Sequence, residues 1–356
     1  MTDSDSQGIR VTGELQQQAW SAQERPPVET VRPGLWSVPV PIPDNPLRYT
    51  LTYVVEATDG LVVVDPGWAT DGAWTALLAG FAHLGAGPED VLAVVVTHVH
   101  PDHHGLSARL RKESGAWVGM HAAEVGSLPA RVPMDEQEVS DRHWLDRCGV
   151  PDDMVPRLIV SAAALEPFMD LAEPDRLLDD GQLLPVEGAG LRVVHTPGHT
   201  PGHVCLHHEG HDVLLTGDHV LPRISPNIGM QSHDSPPALS AYLRSLALVA
   251  ERYDSVEVLP AHEYRFTGLA ARARTLQRHH EERCAEISAA LRGGASTVWD
   301  VTTRISWSRG WENVRGIMRR AAVAETAAHL RYMVDQGTVS AVENPDGPIA
   351  FTAPSA

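Results

Sequence analysis

A short run of histidines and one aspartate, His98-Val99-His100-Pro101-Asp102-His103, constrains this chain more than any other feature. It follows the apolar run Val91–Thr97, whose length and β-branched residues predict a buried strand. Four donor side chains therefore stand close together at a strand end, which is a rigid place to present them. Imidazole nitrogens and carboxylate oxygens suit zinc and other first-row metals. The run predicts a metal site in the loop after this strand.

Three later loops offer further donors, and each follows an apolar run of strand length. These loops are His195–His203, Thr216–His219 and Leu259–Glu263. A metal site needs three or four protein ligands, so the first loop cannot complete two sites alone. Because every loop begins where a predicted strand ends, all four could converge on one edge of a pair of packed sheets.

The four segments, in the order HxHxDH, TPGHT, TGD and PxH, resemble the metallo-β-lactamase superfamily over roughly residues 33–265. The resemblance implies an α+β fold, a four-layer αββα sandwich. It also implies two groups of metal ligands with one bridging residue: His98, His100 and His199; Asp102, His103 and His262; and Asp218 between the groups.

Other residues near these segments are expected to support the ligands. Asp65 ends the run Leu61–Asp65 and matches the superfamily's buried aspartate, which would orient a ligand or its loop, with a turn or cap role as the alternative. His195 and His203 flank the TPGHT segment and would support it from outside the metal's own ligands, or pack at strand ends. His219 carries the same two alternatives as His195 and His203, whereas His104 is expected to face solvent, and His279 and His280 are expected to be structural.

The pattern along the chain predicts three parts. Residues 1–30 are polar and without clear period, which indicates a flexible N-terminal arm. Residues 31–267 would form the catalytic domain, with a helical insertion at about 134–176. Residues 268–356 would form a linker helix and then helices at 297–305, 311–320 and 323–336, followed by a hairpin. This tail resembles the small winged-helix domain attached to certain members of the superfamily.

Composition narrows the partners and the compartment. The net charge of −18 repels phosphate backbones and anionic membranes, so neither nucleic acid nor membrane is an expected partner. The three cysteines are widely spaced and odd in number, which suits a reducing compartment. The polar N-terminus lacks a signal-peptide pattern, and no run is long enough to span a membrane. We therefore expect a cytoplasmic protein, with homo-oligomers possible.

The implied chemistry is hydrolysis by a hydroxide shared between two divalent metal ions, zinc in the first instance, with manganese or iron as alternatives. Asp102 would orient that hydroxide and help to move its proton. The segments around Asp218 and His262 resemble the glyoxalase II-like subgroup, which implies a thioester, ester or lactone as a small-molecule or carrier-bound acyl substrate. Apolar residues of the insertion would wall an acyl pocket or belong to the core: Leu158, Ile159, Val160, Leu165, Phe168 and Met169.

Three other functions stay open. An endoribonuclease would need a basic track, for which the tail offers Arg272, Arg274, Arg278, Arg315, Arg319, Arg320 and Arg331, although arginines interleaved with acids also form solvated faces. A persulfide dioxygenase would use one iron and fewer of the ligands. In a DNA-binding sensor the tail would bind DNA and the core would bind a ligand.

Overall fold

The apolar runs of the sequence form the strands of two mixed sheets. A computed structural model describes residues 8–128, 134–159, 171–229, 237–345 and 347–354. The strands are, in chain order, β1 (Arg10–Val11), β2 (Glu29–Arg32), β3 (Leu35–Pro41), β4 (Tyr49–Ala57), β5 (Gly60–Val64), β6 (Val91–Val95), β7 (Trp117–His121), β8 (Arg176–Leu178), β9 (Leu191–His195), β10 (Val204–His208), β11 (Val213–Gly217), β12 (Glu257–Pro260), β13 (Phe266–Thr267), β14 (Ser340–Val342) and β15 (Ala350–Thr352).

The helices alternate with these strands or follow them. They are α1 (Glu14–Ala22), α2 (Asp71–Leu84), α3 (Pro101–His104), α4 (Ser107–Ser114), α5 (Ala122–Val125), α6 (Met134–Arg147), α7 (Val155–Leu158), α8 (Ala238–Arg252), α9 (Leu269–Arg292), α10 (Val298–Arg304) and α11 (Ile317–Asp335). Two short 3-10 helices occupy Pro88–Asp90 and Trp311–Asn313. Within the described ranges, no helix is both long enough and apolar enough to span a membrane.

Chain contacts divide the molecule into two units. The first comprises Met1–Ala130, Glu166–Pro226 and Ser245–Ala273, and the second Arg131–Leu165, Asn227–Arg244 and Arg274–Ala356. The predicted domain boundaries differ from this division. The helical insertion predicted at about 134–176 groups in part with the C-terminal segment and not with the predicted catalytic domain. The physical reason is a shared core: Trp144 and Leu145 of α6 cluster with Ile287 of α9 and Leu330 of α11.

The first unit is a sandwich of two sheets. One sheet has the order β2-β3-β4-β5-β6-β7-β8, with the strands parallel from β5 onward, and the other has the order β1-β13-β12-β11-β10-β9. Side chains alternate between the two faces of a strand, so Val62 and Val64 of β5 join the core between the sheets, while Val63 joins a second core beneath α2 and α4. The predicted α+β sandwich of two sheets with helices is confirmed.

The N-terminal segment is ordered where it is described, in contrast to the predicted flexible arm. Val11 pairs with Phe266 at the edge of the six-stranded sheet. Gln16 is fully buried on α1, and its side-chain amide donates to the hydroxyl of Ser37 at 3.1 Å. The polar composition did not indicate this order, because a polar segment can still pack in the interior. A buried glutamine side chain costs little when its amide has a hydrogen-bond partner. Residues 1–7 lie outside the described part.

The second unit contains the tail helices and the predicted hairpin. β14 and β15 pair antiparallel, with Ala341 opposite Phe351. The helices predicted at 311–320 and 323–336 differ from the structure, where a 3-10 turn precedes the single helix α11. The winged-helix assignment stays a prediction. Leu158 and Ile159 pack in or against the core of this unit, and the other suggested acyl-pocket residues lie outside the described part.

Candidate metal centre

The four donor loops converge at one edge of the sandwich. Each follows the end of a strand, namely β6, β9, β11 and β12. Together they form a donor cluster of seven residues, in which three overlapping groups have donor atoms within 4.8 Å of one another: His98, His100 and His199; His98, His103 and Asp218; and Asp102, His103 and His262. Every metal ligand implied by the resemblance therefore lies in this cluster.

Three imidazoles form one side of the cluster, which we name the histidine group. The Nε2 atom of His98 lies 3.0 Å from Nδ1 of His100, and Nε2 of His199 lies 3.1 Å from the same atom. Burial lowers the pKa of His100 to about 3 and holds that of His98 well below its ordinary value. Both rings are therefore neutral near pH 7, which is the form that binds a metal.

Carboxylates and two further imidazoles form the other side. Nε2 of His262 lies 3.4 Å from Oδ2 of Asp102 and 3.2 Å from Oδ1 of Asp218. The other oxygen of Asp218, Oδ2, lies 3.7 Å from Nε2 of His199 in the histidine group. The two oxygens of Asp218 thus face the two sides of the cluster, as a bridging ligand would.

The donor set fits metal ions on a structural criterion as well. The buried Nε2 of His103 has no hydrogen-bond partner among the described residues, and it lies 3.5 Å from Oδ1 of Asp218, which also faces Nε2 of His262. A buried polar atom without a partner is costly and rare, so a nitrogen placed in this way among other donors fits a bound cation. Burial lowers the pKa of His103, but the carboxylates of Asp65, Asp102 and Asp218 outweigh it and raise that pKa to about 9. This field favours positive charge inside the cluster.

The family model of the metallo-beta-lactamase superfamily matches residues 45–262. The chain belongs to the metallo-β-lactamase superfamily. The match covers all seven donors and, of the two sheets, the strands β4 to β12.

Solved structures agree with this fold over most of the chain. A metallo-beta-lactamase family protein of Thermus thermophilus superposes with a TM-score of 0.75 at 31% identity, covering 91% of this chain and 100% of that one. A beta-lactamase domain protein of Burkholderia ambifaria superposes with a TM-score of 0.74 at 26% identity, covering 92% and 95%. The coverage of both structures extends beyond the residues matched by the family model.

Curated relatives are similar over shorter stretches. An acyl-coenzyme A thioesterase of Gallus gallus, MBLAC2, is 34% identical over 134 residues, which is 38% of this chain and 43% of the relative. The lactamase-like protein adaB of Aspergillus niger is 26% identical over 245 residues, 69% of this chain and 59% of the relative. The matches thus span less than two thirds of these relatives.

Asp65, which the resemblance matches to a buried aspartate of the superfamily, lies directly behind the donor cluster. Its Oδ1 accepts from the backbone N–H of Thr97, and its Oδ2 lies 2.8 Å from both Oγ1 of Thr97 and Nδ1 of His103. An acceptor at Nδ1 leaves Nε2 of His103 free to face the cluster. His262 is oriented in the same way, since its Nδ1 lies 3.0 Å from the carbonyl oxygen of Tyr49.

The other predicted histidines take different places. His203 is buried, and its Nε2 accepts from the backbone N–H of Asp218 at 3.2 Å. His195 stacks on His121 with ring centroids 3.9 Å apart, and among the described residues it stands in none of the groups that could hold a metal. The surface position expected for His104 is wrong, because its two nitrogens bond the Ser107 hydroxyl and the Ala172 carbonyl in the interior.

The last two candidates differ in their surroundings. His219 is buried with its ring 5.9 Å from that of His203. His280, of the pair His279-His280, contacts His329 within the second unit.

Sequence reasoning missed two buried glutamates. Glu263 follows His262 and accepts from the backbone N–H of Arg223 at 3.0 Å, with a positive φ of 70°. Glu124 lies on α5 and contacts two of the donor loops. Burial raises the pKa of both carboxyls. A signal for Glu124 existed, because β7 is parallel to β6, so the residues after each strand meet at the same sheet edge.

Proposed function

We propose that the chain hydrolyses a thioester, or a related ester or lactone, at a centre that holds two divalent metal ions. The carrying observation is the division of the donor cluster into two sides with Asp218 facing both. His98, His100 and His199 would hold one ion, and Asp102, His103 and His262 the other. When bound, the ions supply a hydroxide at neutral pH and polarise the substrate carbonyl.

The chain's own residues complete this chemistry. The side chain of Asp102 is 13% exposed, whereas those of His103 and His262 are fully buried, so Asp102 is the more accessible from solvent. The hydroxyl of Thr50 donates to the backbone carbonyl of Asp102 at 2.7 Å and fixes the position of this residue. Asp102 would orient the attacking hydroxide and help to move its proton to the leaving thiolate or alkoxide, and Asp65 and Tyr49 would hold the two imidazoles beside it.

A thioester is the preferred substrate because the Gallus gallus relative is named for that activity. The acyl group would be presented on a small molecule or a carrier. Zinc, or manganese or iron, would suit the donors. The glyoxalase II-like subgroup and the cytoplasmic location stay predictions, and the three free cysteines support the latter.

The alternatives receive less support. Two of the arginines suggested for an RNA track have structural roles: Arg272 donates to the carbonyls of Leu221 and Ile224, and Arg320 pairs with Asp141. A single iron would leave the group of Asp102, His103 and His262 without a function. The two-metal hydrolase therefore explains more of the site.

The test combines metal quantification with a substrate panel of thioester, lactone, β-lactam, phosphodiester and RNA. We expect two metal ions per chain and release of a free thiol from the thioester. Asp218→Ala should hold at most one ion, because it removes a ligand shared by both sides. Its rate of hydrolysis should fall more than about 100-fold, which exceeds the effect typical of residues that lie behind the ligands. Asp59→Asn, at an exposed turn, is the control.

Three outcomes would overturn the proposal. Full activity of Asp218→Ala would remove the two-metal centre. One iron per chain with oxidation of a persulfide would indicate the dioxygenase. Cleavage of RNA together with no turnover of thioester, ester or lactone would indicate the nuclease.

A further inference from the structure

Glu124 is a fully buried acid whose carboxylate accepts hydrogen bonds from two donor loops. Its Oε2 accepts from the backbone N–H of Val99 at 2.8 Å, between His98 and His100. Its Oε1 accepts from the backbone N–H of Gly202 at 2.5 Å, three residues beyond His199. Both oxygens are thus used, and each bond joins α5 to a different loop.

Gly202 shows independently that this contact is built into the sequence. A Cβ atom at this position would lie 2.7 Å from the backbone nitrogen of Glu124, 2.9 Å from its Cγ and 2.9 Å from its Oε1. These distances are shorter than real Cβ contacts, so a larger residue would push the two segments apart. The second glycine of the TPGHTPGH segment therefore permits the approach of Glu124.

The two loops reach the cluster from different sheets. His98 and His100 follow β6 of the seven-stranded sheet, whereas His199 lies between β9 and β10 of the six-stranded sheet. The spacing of the histidine group thus depends on how the two sheets are joined at this edge. One backbone bond, from Val204 N–H to the carbonyl of Thr97, also joins them.

We propose that Glu124 is a positioning residue that clasps the Val99 and Gly202 amides and so fixes the distance between His199 and the pair His98 and His100. The inference rests on the proposed function for the identity of the group that these histidines bind. Hydrogen bonds to an ionised acceptor are stronger than those between neutral groups, so two of them can hold a loop pair in one arrangement.

The isosteric variant Glu124→Gln separates a clasp from simple packing. A glutamine fills the same volume, but only its oxygen accepts, and its NH2 group would face the second backbone N–H. Glu124→Gln should therefore behave like Glu124→Ala. Gly202→Ala breaks the same contact from the other loop. Glu113→Gln on the exposed face of α4 is the matched control.

Hydrogen exchange and metal retention are measured on the purified full-length chain. In both Glu124 variants and in Gly202→Ala, the amides of residues 97–103 and 196–204 should exchange at least about 10-fold faster, while those of 257–262 keep their rates. Zinc-loaded variants titrated with a chelator should lose one ion at about 10–100-fold lower chelator concentration and keep the other. With a working substrate, kcat should fall and KM should hold.

The proposed clasp would be contradicted if Glu124→Gln had the same exchange rates and metal retention as the parent. Loss of both ions together with a general rise in exchange would also contradict it. Faster exchange confined to the two loops supports it. Because exchange is also measured without metal or substrate, a parent protein that hydrolyses nothing in the panel would refute the proposed function and leave this test intact.

Discussion

At the residue scale, buried carboxylates organise the backbone around the donor cluster. Asp65 and Glu263 have positive φ angles of 54° and 70°, a region that costs a non-glycine residue about 1–2 kcal/mol. Each carboxylate accepts a backbone N–H, from Thr97 and Arg223 respectively. These hydrogen bonds offset the cost of the backbone conformation, so the two strained residues persist beside the donor cluster. Their side chains point in directions that helical or extended backbone would not allow.

Asp65→Asn tests the orienting role of this carboxylate. The amide keeps the shape of the aspartate, but one of its ends becomes a donor and can no longer accept from both Thr97 and His103. We expect metal affinity at the site of His103 to fall about 10–100-fold, the effect typical of residues behind a metal ligand. Chelator competition followed by metal analysis measures it.

The exposed Asp59→Asn serves as the control for this substitution. Unchanged metal retention in Asp65→Asn would show that His103 is oriented without the carboxylate, and Asp65 would then be a turn residue as in the alternative interpretation of its position.

At the element scale, α2 packs closely on β3. Gly80 is buried on the helix, and a Cβ atom there would lie 2.4 Å from Cγ1 of Val38. The helix begins at a cap in which the Thr70 hydroxyl accepts from the N–H of Ala73 at 3.2 Å, and it ends at Gly85 in the left-handed conformation. Local capping therefore sets the ends of the helix, and one small residue sets its distance from the sheet.

Two alanine substitutions in this helix should have opposite effects. Gly72 is exposed with nothing within 4 Å of an added Cβ, so Gly72→Ala should stabilise the protein by about 0.5–1 kcal/mol through helix propensity. Gly80→Ala gains the same propensity but must displace Val38, and overpacking costs about 1–3 kcal/mol. Denaturant unfolding of both variants measures the difference. Stabilisation by both would show that α2 can move away from the sheet freely.

At the scale of the whole molecule, each unit has its own core, and the second unit contains a buried histidine pair. Nδ1 of His280 lies 3.1 Å from Nε2 of His329, whose Nδ1 bonds the carbonyl of Glu325. Burial lowers the pKa of His280 to about 2 and that of His329 to about 4, and the charge of Arg283 acts in the same direction on both. Both rings are therefore neutral in the fold at pH values where an unfolded histidine is protonated.

This pair should make the second unit sensitive to acid. An unfolded histidine takes up a proton below pH of about 6.5, whereas the folded pair does not until about pH 4 or lower, so stability is full above about 6.5 and declines as the pH falls. From pH 7 to pH 5 the free energy of unfolding should fall by about 2 kcal/mol for each histidine. Hydrogen exchange of α11 across this range measures it.

His329→Gln should remove about half of that pH dependence, whatever its effect on stability at pH 7. His143→Gln, at an exposed position, is the control and should leave the dependence as it is. An unchanged slope in His329→Gln would assign the acid sensitivity to other groups.

Local sequence patterns predicted much of the fold. The run that contains Val62–Val64 is long, apolar and β-branched, and a strand buried on both faces requires that pattern. Helix α2 is also encoded locally, because its apolar residues recur at helical spacing and the threonine that caps it stands directly before it. The donors of the cluster could be predicted for the same reason, since each stands directly after such a strand.

Contacts between segments far apart in the chain could not be predicted in this way. Glu124 meets Gly202 across 78 positions, and Gln16 of the supposed arm finds Ser37 in the interior. The helices of the supposed insertion share a core with the C-terminal helices. No local period encodes these partners, because they are set by which surfaces of the strands and helices pack together. The sequence by itself therefore determined the strands and the donor residues, and only the tertiary structure decided which buried groups hold those donors in place.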